Sequence, residues 1–138
     1  MRLTIIPLVN PTEQQYIDLS KIWIDQNRSQ LIQNLESGVQ FYGARFNERL
    51  LAAAKVSIHQ QQGVIYDFNV REVTRRRGVG LYLLQEICRQ LPEIHIWIFN
   101  LQGIEPQNKI ALEQFLSACG FRPTENDQNW QRHIEPLI

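Results

Sequence analysis

The chain has 138 residues, 43% of them hydrophobic, which is enough for one ordinary core and too little for two. Fourteen Lys and Arg balance fourteen Asp and Glu, so no global field draws the molecule to nucleic acid or to an anionic membrane, and any anion site has to be local. The opening run Leu3-Thr4-Ile5-Ile6 is too short for a secretory signal and Pro7 interrupts it, while no later stretch approaches the roughly 20 apolar residues of a membrane span; the expectation is a soluble, cytoplasmic protein.

Leu3 to Val9 is apolar and β-branched, as a first strand requires, and Asn10-Pro11-Thr12-Glu13 supplies a cap and an early acidic charge for a helix from about Thr12 to Asp25. Tyr16, Leu19, Ile22 and Trp23 form its apolar face. The polar stretch Gln26 to Gly38 contains Leu31, Ile32 and Leu35 at the spacing of a short second helix. Val39 to Phe46 and Arg49 to His59 then read as a hairpin around Asn47-Glu48, a two-residue turn without the usual Gly. Gln60-Gln61-Gln62-Gly63 breaks the chain before a fourth strand, Val64 to Val70.

Gly78 to Leu91 predicts the clearest helix, with Leu81, Leu84, Ile87, Cys88 and Leu91 as one stripe ended by Pro92. Ile94, Ile96 and Ile98 alternate with His95, Trp97 and Phe99 in a strand buried on both faces. Pro106 to Cys119 predicts a helix carrying Ile110, Leu112, Phe115 and Leu116, terminated by Gly120, and Phe121 and the Trp130 to Ile134 segment supply the last strands. The order defines a single α/β domain over residues 1–138 with a largely antiparallel early sheet.

Chemistry concentrates between the fourth strand and the third helix, in Arg71-Glu72-Val73-Thr74-Arg75-Arg76-Arg77-Gly78-Val79-Gly80. A helix N-terminus presents unpaired amides and the positive end of a dipole, and glycine lets a phosphate approach the backbone. Three adjacent arginines add charge-assisted donors for a diphosphate or a ribose phosphate. Taken alone, such a run is as well read as a solvated basic turn or a weak nucleic-acid patch; Gly-x-Gly at a helix start favours the phosphate cradle. The segment is neither a dinucleotide fingerprint, since its first glycine is missing, nor a P-loop, since no Gly-Lys-Ser/Thr follows.

Arg75-x-x-Gly78-x-Gly80, after a strand ending in Val70 and before Leu83-Leu84, resembles the Gln/Arg-x-x-Gly-x-Gly/Ala motif of the GCN5-related N-acetyltransferase (GNAT) superfamily. The resemblance implies a GNAT fold, a mostly antiparallel mixed sheet flanked by helices, whose fourth and fifth strands splay to hold coenzyme A or acetyl-CoA. It implies a cofactor site built by Thr74, Arg75, Arg76, Arg77, Gly78, Val79, Gly80 and Leu81, with amides from about Arg76 to Leu81 on the pyrophosphate. Backbone of Phe68, Asn69 and Val70, at a bulged strand end, would pair with the pantetheine arm.

Acetyl transfer to an amine needs a base for the amine proton and usually a proton for the departing thiolate. Catalytic members of the superfamily often carry a tyrosine four residues before the terminal Gly-Phe; here that position is Leu116, beside Phe115, and neither has a hydroxyl. Asp67 and Glu72 remain candidate bases, so a second reading, an N-acetyltransferase for an unknown amine, stays open.

A closer resemblance is carried by Tyr42-Gly43-Ala44-Arg45-Phe46-Asn47-Glu48-Arg49-Leu50-Leu51-Ala52-Ala53, by Val70 to Gly80 and by the opening Leu3-Thr4-Ile5-Ile6. These strings are similar to the maturation and regulatory factors of aspartate 1-decarboxylase, a family within the superfamily. The resemblance implies a sensor of acetyl-CoA or CoA that docks on the decarboxylase, promotes self-cleavage of its zymogen to the pyruvoyl form and inhibits the mature enzyme, thereby controlling β-alanine, pantothenate and CoA synthesis. Arg45 and Asn47 on the hairpin, with Arg71, are then the expected partner contacts. His59, His95 and His133 are widely separated and lack ligand spacing, so no metal is expected, and Cys88 and Cys119, far apart, read as core filler in a reducing compartment.

Overall fold

The computed structural model describes residues 3–71, 78–101, 106–125 and 128–133. The elements follow in the order β1 (Thr4–Pro7), α1 (Glu13–Ile22), α2 (Arg28–Glu36), β2 (Gln40–Phe46), β3 (Arg49–His59), β4 (Gln62–Val70), α3 (Val79–Gln90), β5 (Ile96–Asn100), α4 (Pro106–Ala118), β6 (Arg122–Pro123) and β7 (Asn129–His133). The strands form one sheet in the order β1-β2-β3-β4-β5-β7-β6. Every neighbouring pair is antiparallel except β4 and β5. Among the described residues no helix is long and apolar enough to cross a membrane.

Period-two alternation along the strands divides the interior into two cores. Ala52, Ala54 and Val56 of β3 join Tyr42, Ile65, Trp97 and Phe99 beneath Leu83, Leu84, Ile87 and Leu116 of α3 and α4. Leu50 and Ala53 join Phe41 on the opposite face, beneath Leu19, Ile22, Trp23 and Leu31 of the α1–α2 segment. Leu50 and Ala52 fall on opposite faces because β3 carries an extra residue there, where the register against β2 shifts between Ala44 and Arg45.

Helix starts follow local chemistry. Thr12 and Gln15 exchange side-chain and backbone hydrogen bonds at the start of α1, and Asn27 and Gln30 do the same for α2. The two-residue hairpin turn is as expected: Asn47 and Glu48 both take positive φ, 53° and 68°, and Phe46 pairs with Arg49.

Several boundaries differ from the sequence reading. α1 stops at Ile22, not near Asp25, because Trp23 leaves helical geometry and its indole N–H donates to the Asp67 carbonyl at 2.6 Å. β4 begins at Gln62, not Val64: only Gln60 and Gln61 make the turn, with Gln60 at φ 58°, while Gln62 and Gly63 pair on both sides. Leu81 of α3 and Ile110 of α4 are exposed rather than part of the apolar stripes, and Leu83 fills the buried position on α3.

Candidate functional site

β4 and β5 are paired only from Gln62–Ile96 to Ile65–Phe99, while β4 continues against β3 as far as Val70. The two strands therefore part beyond Ile65, at the only parallel junction among the described strands. Such a junction, outside the carboxyl ends of parallel strands, is where open sheets receive ligands.

A bulge sits on the parted segment. Ala53 pairs with Asn69 but Lys55 with Tyr66, so Asp67 and Phe68 together oppose Ala54. Asp67 takes φ 48°. The bulge is tied to the end of α1 through Trp23, and Asn69 donates its side-chain N–H to the Ile22 carbonyl. The Asp67 carboxylate accepts from Gln26 at 3.0 Å and pairs with the buried Lys55 ammonium at 3.0 Å. As a candidate base, Asp67 is thus already engaged by two donors on Oδ2.

α3 begins beside this strand end. Gly78 adopts φ 76°, open to glycine and strained for most residues, and as the N-cap residue it has no side chain with which to cap the helix. By helix geometry the first-turn amides of Val79, Gly80 and Leu81 lack intrahelical acceptors; the first helical bond described runs from the Tyr82 N–H to the Gly78 carbonyl, at 3.0 Å. A Cβ on Gly80 would lie 3.4 Å from Val70 and 3.5 Å from the Phe68 ring, so the helix start is packed closely onto the parted strand. Phe68, Asn69, Val70, Gly78, Val79, Gly80 and Leu81 consequently share one end of the sheet. Thr74, Arg75, Arg76, Arg77 and Glu72 lie outside the described residues.

Leu116 is wholly buried in the α3–α4 core, and the Phe115 ring lies 6.4 Å from that of Phe68. Burial pushes the Cys88 thiol up to about 11 and also raises that of Cys119, which keeps both as thiols packed against the core rather than nucleophiles. Burial, with the neighbouring Asp67 charge, raises the Tyr66 hydroxyl.

At the hairpin, Asn47 is exposed and Arg45 half-buried, with Arg71 half-buried at the end of β4, its N–H bonded to the Leu51 carbonyl at 2.8 Å. The turn is braced by Asp18 of α1, which is buried and accepts from Arg49 at 2.7 and 3.0 Å and from the Leu50 N–H at 2.9 Å. Sequence reasoning missed Asp18 and Lys55. The available signal was position: Asp18 precedes Leu19 on the buried face of α1, and Lys55 is a lone charge within Leu50-Leu51-Ala52-Ala53-Ala54-Lys55-Val56.

A parted β4–β5 pair, a bulged β4 and a glycine-opened helix following it define the GNAT class of fold. A GNAT-family acetyltransferase from Elizabethkingia anophelis, solved with acetyl-CoA bound, superposes with a TM-score of 0.70 at 18% identity, covering 96% of this chain and 98% of that one. Solution-NMR coordinates of Escherichia coli YhhK bound to coenzyme A agree more closely, with a TM-score of 0.82 and 40% identity over 97% of this chain and 100% of that one. In sequence, the PanD regulatory factor of Escherichia coli K12 is 41% identical and that of Salmonella typhimurium LT2 39% identical, each over 96% of this chain and 99% of its own. Residues 2–131 match the family described as acetyltransferase (GNAT) domain, PanZ, and the chain belongs to that PanZ family.

Proposed function

We propose that this protein is a CoA- or acetyl-CoA-dependent regulator of PanD, the aspartate 1-decarboxylase implied by the sequence resemblance. It promotes self-cleavage of the zymogen and restrains the mature enzyme. The observation that carries the reading is the near-full-length match to two PanD regulatory factors, which extends through both the hairpin and the parted strands.

The residues present fit a CoA ligand. Backbone at Phe68, Asn69 and Val70 lies along the parted edge where a pantetheine arm would run, and the amides of Val79, Gly80 and Leu81 suit a pyrophosphate. Thr74, Arg75, Arg76 and Arg77 would add donors to the phosphates. Arg45, Asn47 and Arg71 are the proposed partner contacts, the first two at a hairpin turn that Asp18 holds in place before any partner arrives and the third just past β4. Leu116, buried where catalytic relatives of the superfamily often carry a proton-donating tyrosine, supports reading the cofactor as a signal.

The decisive experiment incubates purified aspartate decarboxylase zymogen with this protein, with and without acetyl-CoA or CoA, and follows chain cleavage by mass. Cofactor-dependent acceleration is expected. No acceleration under any cofactor condition, or acetylation of amines in a broad substrate screen without effect on the zymogen, rejects the proposal.

A further inference from the structure

Two charged side chains of the described residues lie fully inside the protein, Asp18 and Lys55, and only Asp18 is accounted for by the hairpin it braces. Lys55 projects from β3, an interior strand of the sheet, toward the α1–α2 side, with its ammonium 5.0 Å from the Trp23 ring centroid and 5.8 Å from that of Phe41. It contacts three oxygens: Gln26 Oε1, Asn34 Oδ1 at 2.7 Å and Asp67 Oδ2 at 3.0 Å. An ammonium has three donors, so this cage satisfies the buried charge completely.

The third of those oxygens belongs to the residue that creates the β4 bulge. Asp67 is not glycine, and φ 48° is a conformation an aspartate keeps only where its surroundings hold it. Its main-chain carbonyl is held by the Trp23 indole, and its carboxylate by Lys55 and Gln26. The bulge in turn decides which backbone groups of Phe68, Asn69 and Val70 face the gap left by β5, because one residue more or less reverses the alternation along a strand.

We infer that Lys55 is a positioning residue for the pantetheine arm of a CoA ligand. It acts through Asp67: the ion pair fixes the left-handed bulge, and the bulge sets the register of the backbone edge that receives the arm. The inference rests on the proposed CoA-binding reading, and it makes the arm, not the nucleotide end, the part of the ligand that Lys55 governs. The nucleotide end belongs to the start of α3, which Lys55 does not touch.

Calorimetric titration of the full chain with CoA and with adenosine 3′,5′-bisphosphate, a fragment of CoA without the arm, separates the two ends. Lys55→Met is expected to weaken CoA by about ten-fold or more, the scale of one lost charged hydrogen bond, while the bisphosphate changes by less than about two-fold. Asp67→Asn, at a partly exposed side chain, should shift CoA in the same direction and serves if Lys55→Met does not fold. The double variant should bind CoA no more weakly than Lys55→Met alone, because both changes break one link. Unaltered CoA affinity in the folded variants, parallel loss of both ligands, or additive losses in the double variant overturn the role of Lys55. A wild-type protein that binds neither ligand overturns the CoA reading itself, and this role with it.

Discussion

Asp18 carries more of the hairpin than its place in the sequence suggests. Burial pushes its carboxyl pKa up, but Arg49, the Leu50 N–H and Gln14 outweigh burial and hold it below the usual aspartate range. Asp18→Ala leaves the buried Leu50 N–H unpaired and should cost about 2 kcal/mol in urea unfolding at neutral pH, allowing for the part-exposed Arg49. A folded pKa below the unfolded value of about 3.9 means the contribution is full above that value and fades as pH falls through the folded one. The gap between wild type and Asp18→Ala should therefore narrow in acid, and a gap constant down to the acid transition would contradict the assignment. Glu48, at φ 68° in the turn, bears a left-handed conformation that glycine adopts freely. Glu48→Gly should raise the melting temperature, by the equivalent of somewhat under about 1 kcal/mol after the added freedom of the unfolded chain. If Arg45 and Asn47 are the contacts, partner affinity should survive that change.

The elements read most clearly where one local signal suffices. α3 was legible because its apolar stripe, glycine start and Pro92 all agree, and the β2–β3 hairpin because two alternating strands meet at a two-residue gap. Leu81 was misplaced because apolar residues at helical spacing do not reveal which side of the stripe ends at solvent. The β4 bulge was expected only through family resemblance. Nothing in Tyr66-Asp67-Phe68 announces a positive φ, since the conformation is imposed by Trp23, Gln26 and Lys55, which are remote in sequence. The paired half of β4 has its own constraint. Gly63 lies opposite Trp97, whose fully buried ring would meet a Cβ there at 2.6 Å. Gly63→Ala should destabilise by about 1–3 kcal/mol, as overpacking of rigid cores does, with lower thermal stability as the measure; an unchanged melting temperature would mean the ring has room to yield.

Across the whole molecule, the sheet separates a core under α1 and α2 from a larger one under α3 and α4, and the parted strands lie at the boundary that both approach. Ligand and partner need not touch to influence one another when each stabilises the same arrangement of that sheet. CoA at about 100 times its dissociation constant should stabilise the protein by about 2.7 kcal/mol, visible as a rise in melting temperature. If CoA tightens partner binding by some factor, the partner tightens CoA binding by the same factor, and paired titrations that disagree would exclude simple coupling. Of the proposed cradle, Gly78 and Gly80 at the start of α3 could be read from a short local motif, whereas Asp18 and Lys55 became visible only once distant segments were brought together.

Leu116 closes its stretch of core with a hydrocarbon, where a phenol would have offered a proton. On the proposed reading, a bound thioester is read and released intact rather than spent. Occupancy then reports the free concentration of the ligand at equilibrium, with no turnover to drain the signal it measures.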